Sequence, residues 1–221
     1  IKLGLASIGG KDSMSGTFND IDVPPTLCSF AVDIAKVQDI ITPELKEAGN
    51  VLVKFDIEKD QYSLPVYSQL MSMYGQIREM AQAGIIKSAY ATGYGGICEA
   101  VSKMAFGNDL GVTIDNGISN AALFAKDYGS IIAEVAVNDL EKITVPYTRV
   151  AEVTDNAEFV YNGTSIPMEE ALKAWTSRLE GVFPTRSDVK QTELEDNLYE
   201  EKNIYISKNK TPKPEVFIPV F

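Results

Sequence analysis

Apolar residues recur along this chain in two rhythms, and each rhythm predicts a kind of element. Between residues 65 and 83, Val66, Leu70, Met73, Ile77 and Met80 fall three or four apart, so they share one face of a helix. The Met and Tyr residues of that stretch read as core packing. Short apolar runs bounded by Gly, Pro, Asn or Asp predict strands at 51–57, 85–90, 110–114, 130–137, 149–153 and 158–161, the last followed by an Asn162-Gly163 turn. Helices are predicted at 97–106, 120–126 and 168–179. The last of these has Pro167 at its start, Glu169 and Glu170 in its first turn, and Leu172, Trp175 and Leu179 on one face. Strands and helices mix without strict alternation. That order predicts a layered α+β domain, a mixed sheet with helices packed on it.

The two ends read differently. Residues 1–8 and 26–37 are strand-like and flank a polar loop at 16–23. Two strands cannot bury a core alone, so this piece is expected to pair with other sequence or to dock on the next domain. From 181 to 214 the chain is polar and aperiodic, and Glu193, Glu195, Glu200 and Glu201 read as solvated. Thr211-Pro212-Lys213-Pro214 reads as a stiff linker before the apolar run 216–221. With no initial Met and an apolar end, the chain reads as cut from a longer polypeptide.

Composition narrows the chemistry. There are 31 acidic and 20 basic residues, a net charge of −11, which argues against nucleic acid or an anionic membrane as partner. No run approaches the roughly 18 apolar residues of a membrane helix. Histidine is absent, so Ser-His-Asp and Cys-His catalysis and His-metal sites are excluded. Any metal would sit on oxygen ligands and be Mg-like. Cys28 and Cys98 read as two buried, reduced thiols, which suits a cytoplasmic protein. Asp20 with Asp22, and Asp56 with Glu58, read as surface acids.

One segment carries dense chemistry. In Gly9-Gly10-Lys11-Asp12-Ser13-Met14-Ser15 a strand is expected to enter a paired-glycine turn that then presents a cation, a carboxylate and two hydroxyls. Glycines let backbone N–H groups approach an anion closely. Lys11 offers a cation for phosphate, Asp12 a ligand for Mg²⁺, and Ser13 and Ser15 donors for phosphate oxygens. Neither the P-loop nor the G-x-G-x-x-G spacing is present. From the residues alone, a tight turn with solvated side chains fits as well as a phosphate site. Gly93-Tyr94-Gly95-Gly96, ahead of the 97–106 helix, reads equally as an anion site at a helix N-terminus or as a turn with close packing.

The order Gly10-Lys11-Asp12-Ser13-Met14-Ser15, then Pro25-Thr26-Leu27-Cys28-Ser29-Phe30-Ala31, then Thr42-Pro43-Glu44-Leu45, resembles phosphoribosylformylglycinamidine synthase of the large, single-chain type. Gly95-Gly96-Ile97, Lys103-Met104-Ala105-Phe106, Leu123-Phe124, Trp175 and Pro214 to Phe221 are similar to later family segments in the same order. The resemblance covers nearly the whole chain; the first motif is quite specific and the others modest.

The resemblance implies an ATP-dependent ligase of purine biosynthesis that acts on formylglycinamide ribonucleotide (FGAR) with glutamine as amide donor, on a duplicated aminoimidazole-ribonucleotide-synthetase-like fold. Residues 1–39 would be the last strands of an N-terminal half-domain and 40–165 a C-terminal domain. Residues 166–213 would be a helix and linker, and 214–221 the first strand of a glutamine amidotransferase domain. Carried over by position, Gly10 and Lys11 would contact ATP, Ser13 and Ser15 the ribonucleotide, and Asp12 Mg²⁺. Lys11 stands where small-type relatives have an Asn metal ligand. Ala91 and Gly93 stand where many relatives have a carboxylate and a Ser at a second, auxiliary nucleotide site, so that site is expected to be lost or rebuilt. The implied partners are FGAR, ATP and the remaining synthetase and glutaminase domains. Alone, the 221 residues are expected to be inactive. The non-enzymatic alternative is a scaffold domain of the same fold. Other enzymes of the superfamily would need nucleotide-binding N-terminal motifs that are absent here.

Overall fold

The strand Val51–Phe55 (β5) is apolar on both faces, and the architecture follows from that. Val51, Val53 and Phe55 enter one core cluster and Leu52 the other. A strand buried on both sides must lie inside a sheet with helices above and below. In the computed structural model, which describes residues 2–13, 16–185, 202, 203, 206 and 208, it does. The further elements of this domain are α1 (Tyr67–Gln82), β6 (Ile86–Ala91), α2 (Gly96–Phe106), β7 (Gly111–Ile114), α3 (Asn120–Leu123), β8 (Ile131–Val135), β9 (Thr148–Thr154), β10 (Glu158–Tyr161), β11 (Thr164–Pro167) and α4 (Met168–Thr176). β5 to β11 form a seven-stranded sheet in the order β11-β10-β7-β9-β5-β8-β6. Only β10 and β7 pair in parallel; the other neighbours are antiparallel.

Helix α1 covers one face through Leu70, Met73 and Met80. Helix α2 covers the other through Ile97, Ala100, Val101, Met104 and Ala105. Each buried Leu, Ile, Val or Met among these contributes about 1.5–3 kcal/mol of transfer free energy, and each Ala less. The segment before β5 is clamped to the end of α2: Leu45 is fully buried, its N–H donates to Met104 O at 3.0 Å, and Asn108 Nδ2 donates to Leu45 O at 2.7 Å.

The predicted α+β mixed sheet with packed helices is present, and the helix and strand positions agree to within a few residues. Differences are local. β11 has no predicted counterpart, because its Thr-Ser-Ile-Pro run is short and fully exposed. The 120–126 helix stops at Leu123. The 168–179 helix ends at Thr176 and finishes as a 3-10 turn, Ser177–Leu179. Its apolar face is not core: Trp175 and Leu179 are exposed, and only Met168 is buried.

Two small ribbons precede this domain. β1 (Ser7–Ser13) pairs antiparallel with β4 (Thr26–Ala31), and β2 (Gly16–Phe18) pairs with β3 (Ile21–Val23). The polar segment 16–23 is thus a hairpin rather than a loop, turned at Asn19 with φ 52° and tied by Thr17 Oγ1 donating to Asp22 at 2.7 Å. The strand expected over 26–37 ends at Ala31, and Val37–Asp39 is a 3-10 turn. Every residue of β4 is exposed, Leu27 at 88%. Such a two-stranded ribbon has no core of its own.

Candidate functional site

The chemistry-bearing segment lies on β1, and the structure corrects its expected shape. Gly9 and Gly10 do not turn. They continue the strand, with Gly9 opposite Phe30, Gly10 opposite Ser29, Lys11 opposite Cys28, Asp12 opposite Leu27 and Ser13 opposite Thr26. Neither glycine has a positive φ. An extended backbone sends successive N–H groups to opposite edges, so β1 does not form the anion-cradling concavity that a paired-glycine turn would give. The ladder explains one glycine differently. A Cβ at Gly10 would sit 3.1 Å from Cys28 O, so the two strands approach closely there. A bulge between Ser7 and Gly9 sets the register. Of Asp12 and Ser13 only the backbone is described, and Met14 and Ser15 lie outside the described residues. The run 214–221 also lies outside them.

Sequence reasoning missed what stands beside this strand. Ser7 Oγ is 3.0 Å from Ser29 Oγ and donates to Gly9 O at 2.9 Å. Both serines border an open hollow of about 910 Å³ that reaches from Lys2 and Leu3 to Tyr67, the first residue of α1. A β-ladder register, invisible in one sequence, brings Ser7 and Ser29 together. Cys28, expected to be buried, is exposed, because β4 has no layer over it; Cys98 is half-buried, as its place on α2 dictates.

The second glycine run is a tight turn with its anion place already filled. Glu99 folds back so that its Oε2 accepts from Gly95 N–H at 2.8 Å, while its Oε1 meets Lys103 Nζ at 2.6 Å. Hydrogen bonds from Lys103 and Gly95 hold the Glu99 carboxyl below its ordinary value. A carboxylate of the same helix thus satisfies the N-terminal dipole that a bound anion would satisfy. Gly96 is required by geometry: its φ is +60°, and a Cβ would meet Ala125 O at 2.1 Å.

Asp127 locks the same turn from the other side. Its N–H donates to Gly93 O at 3.0 Å. Its Oδ1 takes Lys59 Nζ at 2.6 Å, and Oδ2 lies 2.7 Å from Lys54 Nζ. The latter contact is close, but Oδ2 receives no well-directed hydrogen bond, so charge attraction rather than a directed bond holds it. Burial works to raise the Asp127 carboxyl, but the Lys54 and Lys59 ammoniums and the Ser130 hydroxyl beside it outweigh that and the net shift is downward. Lys54, which also pairs with Asp56, is depressed by burial but raised overall by the two carboxylates. Asp56 is an exposed surface acid, as expected, that pairs with Lys54. Ala91 is exposed at the end of β6, and Thr92 Oγ1 donates to Ser130 O at 2.9 Å.

Among the described residues there is no group of three or more side chains fit to hold a metal ion, and no helix is long and apolar enough to cross a membrane.

No protein-family model matches the chain. The phosphoribosylformylglycinamidine synthase subunit PurL of Pelagibacter ubique is 26% identical over 201 residues, a match covering 78% of this chain and 28% of that protein. PurL of Thermotoga maritima complexed with AMPPCP superposes with a TM-score of 0.56 at 15% identity, over 81% of this chain and 33% of that one. The same protein complexed with FGAR gives 0.55 at 13% identity, over 80% and 35%. The chain has the PurL fold. That fold is the mixed sheet with helices of the aminoimidazole-ribonucleotide-synthetase-like type. The sequence relation to PurL is partial and at low identity, and it does not single out the large, single-chain type. The chain spans about a third or less of the length of the proteins it matches.

Proposed function

We propose that this chain is part of a phosphoribosylformylglycinamidine synthase, an ATP-dependent ligase that converts FGAR and glutamine to the amidine in the cytoplasm, in a large, single-chain enzyme. The observation that carries the reading is the low-identity match to PurL along most of the chain, together with the shared fold. PurL of Thermotoga maritima has been seen with ATP and with FGAR, which supports those two ligands here. The division proposed is 1–39 as ribbons that complete a neighbouring half-domain, 40–165 as most of the seven-stranded domain, whose edge strand β11 runs on to Pro167, then 166–213 as helix and linker. Residues 214–221 begin a glutaminase domain.

In this reading β1 forms one wall of the synthetase site. Gly10 and Lys11 contact ATP, Ser13 and Ser15 hold the ribonucleotide, and Asp12 contributes to Mg²⁺. One carboxylate fits such an ion only in company with phosphate oxygens and water, which is how Mg²⁺ is usually held beside nucleotides. When bound, the ion would neutralise phosphate charge. ATP phosphorylates the amide oxygen, and ammonia released from glutamine displaces the phosphate. The protein's work is positioning and charge neutralisation. With one wall only, the 221 residues alone are inactive.

The test is Lys11→Ala combined with Ser13→Ala in the parent polypeptide, assayed for FGAR-, ATP- and glutamine-dependent turnover. The reading expects kcat/KM to fall by about 10²-fold or more, the scale of losing one preorganised charge-stabilising donor. Unchanged kinetics with intact folding would assign the ribbon to scaffolding. That second reading draws its support from the regular, nest-free geometry of β1 and from Glu99 filling the α2 N-terminus.

A further inference from the structure

A slot of about 530 Å³ lies between α2 and α4, and none of its lining residues belongs to β1. It exists because small side chains face one another there: Cys98 and Ser102 on α2, Ala171 and Ala174 on α4. Aromatic rings close its ends. Trp175 stacks on Phe106 with centroids 5.5 Å apart and planes 15° apart, yet stays 56% exposed, and Tyr94 and Phe124 stand exposed across from it. Exposed aromatics grouped around one concavity are unusual on a soluble domain; scattered ones are not.

The slot also carries a placed cation, Lys103. Lys103 Nζ lies 5.9 Å from the Trp175 ring and 5.7 Å from the Tyr90 ring. Its ammonium has three donors; one goes to Glu99 and a second faces the Tyr90 hydroxyl, which leaves one for a ligand. The Glu99 charge is shared with the Gly95 N–H at the helix N-terminus, so it does not cancel Lys103 alone. Lys126, which is not part of the lining, lies over the Tyr94 ring at 5.0 Å. In a chain of net charge −11, a slot lined by one lysine and one carboxylate is locally neutral rather than acidic.

We propose that this slot binds a small ligand that joins a flat aromatic ring to an anionic group. The ring enters between the α2 and α4 small residues against Trp175, and the anion meets Lys103. Volume and lining both suit such a ligand: concave sites of roughly 300–1,000 Å³, mostly apolar with a few placed polar groups, are the usual form of small-molecule pockets.

The chain has a single tryptophan, so its indole N–H gives one proton–nitrogen NMR signal that reports on the slot. The probe is 1-naphthoate, with neutral 1-naphthamide as control. The proposal expects a saturable shift of that signal with 1-naphthoate, about tenfold tighter than with the amide, the scale of one charge-assisted hydrogen bond. Lys103→Met should abolish the preference for the anion while leaving weak binding of both compounds. Ala174→Leu, at an exposed position that tolerates a larger side chain, should fill the slot and remove the shift. Three results would each overturn the proposal: no saturable shift, equal affinity for acid and amide, or a shift that survives Ala174→Leu in a folded variant. Equal affinity would instead mark a plain apolar docking face.

Discussion

Glu134 offers the sharpest test of how this domain holds together. It lies in the middle of β8, in the run Ile131-Ile132-Ala133-Glu134-Val135, and it is fully buried. Alternation along the strand puts it on the Ile132 side, the side covered by α2. A buried carboxylate is tolerated only when its oxygens are filled. Oε2 accepts from Lys46 N–H at 2.8 Å and from Ser88 Oγ at 2.8 Å; Oε1 accepts from Glu47 N–H at 3.0 Å and from Asn50 Nδ2 at 2.8 Å. One side chain therefore ties β8 to β6 and to the segment that enters β5. Glu134→Leu strands these donors. Asn50 and Ser88 are themselves buried, so each loses about 1–3 kcal/mol, while the two backbone N–H groups nearer the surface can take water. A total loss of about 3–5 kcal/mol follows, as for other half-removed buried charge networks. Glu134→Gln keeps the shape. With its amide nitrogen at the Oε2 position, Ser88 can rotate to accept, and only Lys46 N–H is left opposed, a cost of about 1–2 kcal/mol. Urea unfolding followed by far-UV circular dichroism measures both values. The reasoning fails if the Leu variant loses less than about 1 kcal/mol, or if Gln costs as much as Leu.

Gly96→Ala should destabilise by more than about 2 kcal/mol, since it combines a left-handed φ with a backbone oxygen at 2.1 Å; thermal melting beside a tolerated control such as Gly75→Ala checks this. Asp127 has a folded-state carboxyl below its unfolded value, so its contribution to stability is present above about pH 4 and is lost as pH falls through the folded value. Asp127→Asn should therefore flatten the acid limb of the stability profile, measured by urea midpoints between pH 2 and 6, whereas an unchanged limb would assign the loss to other carboxylates. An aromatic disulfide reagent should modify the exposed Cys28 quickly and Cys98 slowly, because burial pushes the Cys98 thiol up; two equal rates would contradict the structure.

What could be read from the sequence was what local periodicity controls. Val66, Leu70, Met73, Ile77 and Met80 announced α1, and the apolar run at 51–57 announced a strand, though not that both its faces are covered. Strand order and register are set by long-range pairing, so the antiparallel insertion of β9 between β7 and β5 was not legible. Glu134 did leave a signal, a lone acid in an otherwise apolar strand. Its meaning depends on Asn50 and Ser88, which lie 84 and 46 residues away. Trp175 misled in the opposite way. Its helical spacing with Leu172 and Leu179 suggested core, but a helix face becomes core only if another layer meets it, and here a slot does. Gly9 and Gly10 show the same limit at the candidate site. Paired glycines permit a turn but do not compel one. The cross-strand partners Phe30 and Ser29 decide for a ladder, and the close approach of Gly10 to Cys28 O gives that glycine a use that needs no bound anion. Lys11 is thus presented by an extended strand of that ladder and not by a loop folded around a phosphate.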